Sequence, residues 1–100
     1  MKSILEPQDA DYPVCFECNR NGCGDPLEEH HIFEGNGLRP LSEKYGLKVH
    51  LCRHRCHQYG PDSVHQNIEK RRELQAKAQL AFQERFPELD FVEIFGKNYL

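Results

Sequence analysis

Hydrophobic and polar positions sort this chain into short, distinct segments. LKVHL alternates, with Leu47, Val49 and Leu51 on one side and Lys48 and His50 on the other, which predicts a half-buried strand with Cys52 at its end. HHIFE predicts a second strand, opened by His30 and His31. Val64, Ile68, Leu74, Ala78, Phe82 and Phe86 fall in one broad stripe, the longest helical pattern in the chain. Ser63 with Gln66 three residues later fits a capping box, which starts that helix near Ser63 and puts His65 in its first turn. Pro87 stops it near Phe86, and PELDFVEIFG predicts a second short helix ending at Gly96. Between these lie a tight cysteine turn, VCFECNRNGC, a glycine-rich loop, FEGNGLRP, a short turn, LSEKYG, and the loop RHRCHQYGPD. Residues 1–13 read as an extended, proline-broken arm and residues 14–100 as one small α+β domain.

One hundred residues bury a small core, so the fold calls for a staple. The apolar fraction of 38% fits a globular protein, and no apolar run approaches a membrane span. The amino terminus lacks the apolar core and cleavage site of a secretory signal, so a cytoplasmic setting is expected, in which five cysteines point to metal-bound thiolates. Charge is uneven. Residues 1–37 carry two basic and eight acidic side chains, residues 38–77 nine and four, and residues 78–100 two and four. The middle of the chain is thus the part suited to face phosphate.

Cys15 and Cys18 are spaced C-x2-C, so a tight turn aims both sulfurs at one ion. Cys52 and Cys56 supply a C-x3-C pair after the LKVHL strand, completing a tetrahedral four-cysteine zinc site. The longer second spacing leaves His54 or His57 as a replacement for one sulfur, and Cys23 is left over. A site closed by four protein ligands holds structure only, so any chemistry lies elsewhere.

Six histidines offer that second site. Closing the strands against the helix brings His30, His57 and His65 together around a divalent ion, to which imidazole is suited. Neighbours on a strand point to opposite faces, so His31 is free to act as a base rather than a ligand. His50, on the polar face of a strand, and His54, in a basic loop, read as ordinary surface residues.

CFEC at 15–18, EEHHIF at 28–33, LKVHLC at 47–52, CH at 56–57 and the following VHQN together resemble the HNH nucleases, the His-Me finger or ββα-metal group. LSEKYGLKVHLC, GPDSVH and IFGKNYL resemble small phage and prophage HNH proteins, so the similarity covers most of the chain. The resemblance implies a zinc-stapled ββα-metal finger with an additional C-terminal helix, in a bacterial or phage-infected cell. It implies that His31 is the general base, that His30 and His57 bind the catalytic ion (Mg2+, Mn2+, Ni2+ or Zn2+), and that His65 completes or supports that site. The products of DNA hydrolysis would carry 5′ phosphate and 3′ hydroxyl ends. The asparagine of the family name has no counterpart in KYGLKVHLC, where Asn36 is the only nearby candidate.

Lys48, Arg53, Arg55 and the run Lys70, Arg71, Arg72 are candidates for flanking phosphates. For the run, bracketed by Glu69 and Glu73, a solvated helix face is the preferred reading. The competing function is a non-catalytic zinc module binding nucleic acid or a protein, and the second helix with the apolar tail offers a homodimer surface.

Overall fold

The computed structural model describes residues 2–6, 14–35, 37–61 and 63–100. Residues 7–13 of the expected arm, and Asn36, lie outside the described residues. Strand β1 (Leu27–His31) pairs antiparallel with β2 (Lys48–Cys52), with helix α1 (Leu38–Tyr45) between them in sequence. A six-residue π-helix (Arg53–Gln58) leads from β2 towards α2 (Ile68–Arg85), and α3 (Phe91–Phe95) closes the chain's helical part. This is a small α+β fold with a ββα core, a four-cysteine cluster suited to a zinc staple, and extra C-terminal helix.

The alternation in LKVHL holds: Leu47, Val49 and Leu51 are fully buried. The other strand is displaced from its expected position. β1 ends at His31 instead of opening at His30, because the pairing register runs from Leu27 opposite Cys52 to His31 opposite Lys48. Ile32 and Phe33 are buried beyond the strand's end.

LSEKYG, expected as a turn, lies in helix α1. Pro40 falls in its first turn, where a missing N–H forfeits no helical bond. Ser42 is buried, and its Oγ donates to the Phe33 carbonyl at 2.8 Å and accepts from the Phe33 amide at 3.1 Å. That clamp fixes α1 against the end of β1. Gly46 closes the helix at φ 71°, and a Cβ there would strike the Lys2 carbonyl, so glycine is required on both counts.

The expected loop after Cys52 is the π-helix. Its orphan amides are met by the buried Asp25, whose carboxylate accepts from His54 N at 2.9 Å and Arg55 N at 3.1 Å. Its carbonyls are taken by the segment that follows, with Val64 N bonded to Cys56 O at 2.8 Å and His65 N to His57 O at 3.2 Å. Residues 64 and 65 are thereby committed before any α-helix begins. The capping box at Ser63 does not form, and Asn67 caps α2 through bonds from the Glu69 and Lys70 amides. Ile68, expected in the apolar stripe, is 50% exposed, whereas Leu74, Ala78 and Phe82 are buried.

Phe82 lies in an aromatic cluster with Tyr45, Phe86, Phe91 and Phe95. Asp90 caps α3 and Gly96 ends it, the end expected from the sequence. The buried Gln79 of α2 reaches the last residues, donating to Asn98 Oδ1 at 2.9 Å and accepting from the Tyr99 amide at 2.7 Å. Among the described residues, no helix is long and apolar enough to cross a membrane.

Candidate active site

Cys15, Cys18, Cys52 and Cys56 converge, with all four sulfurs within 4.8 Å of one another and Cys18 Sγ 3.5 Å from Cys52 Sγ. Zn–S bonds of about 2.3 Å in a tetrahedron place sulfurs about 3.8 Å apart, so the cluster needs little adjustment to accept the ion. The amino-terminal turn is held to β2 by the bond from Phe16 N to His50 O, 2.8 Å. Burial, reinforced by Cys18 and Cys15, pushes the Cys52 thiol up to about 12, and burial raises Cys56 as well. Cys18 goes the other way: against the effect of burial, the Arg20 amide and the neighbouring thiols draw it below its ordinary value. Cys23 is exposed and outside the cluster. Four sulfurs are present without His54 or His57, so neither histidine is needed as a substitute.

A second cluster joins His30, His57 and His65, each offering a ring nitrogen within 4.8 Å of the others. Three elements build it. His30 comes from the end of β1, His57 from the π-helix directly after Cys56, and His65 from the turn whose amide bonds the His57 carbonyl. His65 is therefore brought to the site by backbone pairing with the π-helix, not by the first turn of α2.

His57 Nδ1 is 3.0 Å from Glu28 Oε1, and its Nε2 is 3.2 Å from His30 Nδ1. Gln58 Nε2 and Arg53 Nε also donate to Glu28, and His57, then Gln58 and Arg53, hold that carboxyl below its usual range against burial. A carboxylate on Nδ1 favours the tautomer with the proton there, which leaves Nε2 as the atom that could take an ion. His30 is 2% exposed, and burial together with His57, His65 and His31 holds its pKa down to about 3. It is a neutral imidazole whose Nε2 has no hydrogen-bond partner among the described residues. Three imidazoles, one carrying an orphaned buried nitrogen, fit a borderline divalent ion.

His31 is on the opposite face of β1, with its side chain 11% exposed. Its Nε2 lies 2.8 Å from Glu43 Oε2 and 3.8 Å from Glu29 Oε1. Lys48, directly across the strand pair, donates to both Glu43 oxygens at 2.9 and 3.0 Å. The bond from Lys48, then that from His31, lowers the Glu43 carboxyl to about 2. Glu29, His31 and Glu43 also converge closely enough to be read as metal ligands, but both carboxylates already pair with the Lys48 ammonium. The two faces meet at a cavity of about 400 Å³ whose lining includes His31, His57, His65, Glu29, Glu34 and Arg39.

The basic candidates divide. Lys48 is engaged by Glu43 and Glu29, and Arg53 by Glu28. Arg55 is exposed on the π-helix, while Lys70, Arg71 and Arg72 lie in the first turns of α2. His50 is bound to Glu6 at 3.0 Å, and the His54 ring packs 5.2 Å from Tyr59. Glu28 and Glu43 are the partners that sequence reasoning missed. For Glu28 a signal existed, since it precedes His30 by two residues and so shares its strand face.

These features make up a compact ββα motif with one four-cysteine cluster and a triad of histidines, consistent with a metal-binding ββα-metal architecture. No protein-family model, no curated protein and no solved structure matches the chain.

Proposed function

We propose that this chain is a metal-dependent endonuclease of the HNH type, hydrolysing or nicking DNA phosphodiester bonds. The observation that carries the reading is the shared cavity, where His31 stands beside His57 and His65, with His30 in the same histidine cluster. A base on one strand face and a nest of imidazole ligands on the other is the division of labour that phosphodiester hydrolysis needs.

His30, His57 and His65 would hold the divalent ion, which when bound neutralises charge on the phosphoryl group and the leaving oxygen. Glu28 orients His57 by fixing its proton on Nδ1. His31 takes a proton from water, which then attacks phosphorus in line with the leaving 3′ oxygen. Glu43 holds the His31 ring in place, in the role left open by the missing asparagine, and Lys48 in turn holds Glu43. The cysteine cluster, loaded with Zn2+, fixes the π-helix from which His57 projects.

The test is a plasmid-nicking assay with the zinc-loaded protein supplied with Mg2+, Mn2+, Ni2+ or Zn2+. Nicking that disappears in His31→Ala, with fold and DNA binding unchanged, supports the reading. Absence of cleavage by the wild type with every ion sinks it, in favour of a non-catalytic zinc module for nucleic acid or protein.

A further inference from the structure

A second cavity, of about 360 Å³, borders the histidine cluster on the side away from His31. It is lined by His30, Glu34, Arg71, Arg72, Gln75 and Lys97, with Ile32, Ile68 and Tyr99 as its apolar wall. His30 and Glu34 connect it to the site, since Glu34 also lines the first cavity and His30 belongs to the ion cluster. Three cations therefore face one carboxylate beside the proposed reaction centre.

Among the described residues, no carboxylate pairs with those cations. Lys48 and Arg53 are spent on Glu43 and Glu28, and Lys77 pairs with Glu73 at 3.4 Å. Arg71, Arg72 and Lys97 make no ion pair with any described residue. The pairing of Glu73 with Lys77 also removes one of the two acidic neighbours that argued for an ordinary solvated face.

Lys97 reaches this place by a specific device. The buried Gln79 spends both ends of its amide on Asn98 and Tyr99, and the Tyr99 ring packs on Phe33 at 4.7 Å. The segment after α3 is thereby tied down one residue after its lysine. The lysine ammonium sits 5.3 Å from the Tyr99 ring.

We infer that this cleft binds a backbone phosphate of the nucleic-acid strand being cut, next to the scissile one, through Arg71, Arg72 and Lys97. The inference rests on the nuclease reading and adds the path of the strand: across Glu34 and His30, from the His31 side towards the C-terminal segment. Contacts of this kind hold the register of the strand without reading its sequence.

The experiment uses zinc-loaded full-length His31→Ala protein, so that binding is read without turnover. Fluorescence anisotropy with a labelled DNA duplex, and with its single strand, is followed from low to high salt. Arg72→Ala and Lys97→Ala are compared with Arg85→Ala, at the far end of α2. Each removed phosphate contact should lower the salt slope by about one and weaken binding roughly eightfold at 0.1 M salt. Both effects in Arg72→Ala and Lys97→Ala, with Arg85→Ala unchanged, are the expected result. Unchanged binding in those two variants overturns the cleft, and leaves the nuclease reading standing if the wild type nicks DNA. Inorganic phosphate that binds while neither DNA does overturns it in favour of a free-anion site. Thermal melts of both variants exclude unfolding, since neither side chain is buried.

Discussion

Glu43 Oε2 lies 2.8 Å from His31 Nε2, although the two residues sit on different elements. The link is built, not incidental. Ser42 clamps α1 to Phe33, so the next residue faces the end of β1, and Lys48 fixes the carboxylate from the neighbouring strand. Replacing Glu43 by Gln keeps the shape and removes the charge. If Glu43 positions the base, kcat falls about tenfold, the lower end for an outer partner of a site residue, with KM and melting temperature little changed. A loss confined to KM, or to stability, would contradict a positioning role.

The Glu28 bond to His57 yields a different signature. Glu28→Gln weakens control of the His57 tautomer, so affinity for the second ion should drop about 10- to 100-fold while zinc stays bound. Calorimetric titration of zinc-loaded protein with Ni2+ measures it. Equal affinity in the two proteins would remove Glu28 from the site.

Zinc removal should be more drastic. A structural zinc contributes an apparent ~10–16 kcal/mol in small zinc domains, against a total stability of roughly 5–15 kcal/mol. A two-stranded sheet has little of its own to offset that loss. Chelation, or Cys18→Ser, should abolish cooperative melting by circular dichroism. Because burial raises the Cys52 and Cys56 thiols, rebinding should release protons, which a pH indicator in weak buffer detects.

Much of this was readable from the sequence, and the limits have physical causes. The four cysteines were legible because each pair is local, and β2 because its alternation is local. The π-helix was not, since Asp25 caps it from 29 and 30 residues away. The same holds for Glu28 and His57, 29 residues apart. The start of α2 was misplaced because Ser63 and Asn67 are both good caps, and only the backbone bonds of Val64 and His65 to the π-helix decide between them.

Acid should destabilise the fold through His30. In the unfolded chain this ring binds a proton below its ordinary value near 6.5, but in the fold not until about 3. The unfolded state therefore holds more protons across that window, and stability falls as pH drops from 6.5 towards 3. Urea midpoints of zinc-loaded wild type and His30→Leu, compared between pH 7 and 4.5, isolate the effect. The variant should show the flatter profile, and identical slopes would refute the assignment.

Phe82 tests the helical half. It is fully buried among Tyr45, Phe86, Phe91 and Phe95, so Phe82→Ala should cost about 3–5 kcal/mol. Urea denaturation reads the loss directly, and a cost below about 1 kcal/mol would mean the cluster is not the core.

Cys56 and His57 are adjacent residues of one π-helix, the first facing the sulfur cluster and the second the histidine cluster. A single peptide unit thus separates the cluster suited to a structural zinc from the cluster proposed to hold the reactive ion. Under zinc starvation, or once an oxidant takes the thiolates, the histidine cluster would come apart together with the staple. On the proposed nuclease reading, zinc supply would then work as a licence: a freshly made chain would leave the genome around it uncut until its cysteines were loaded.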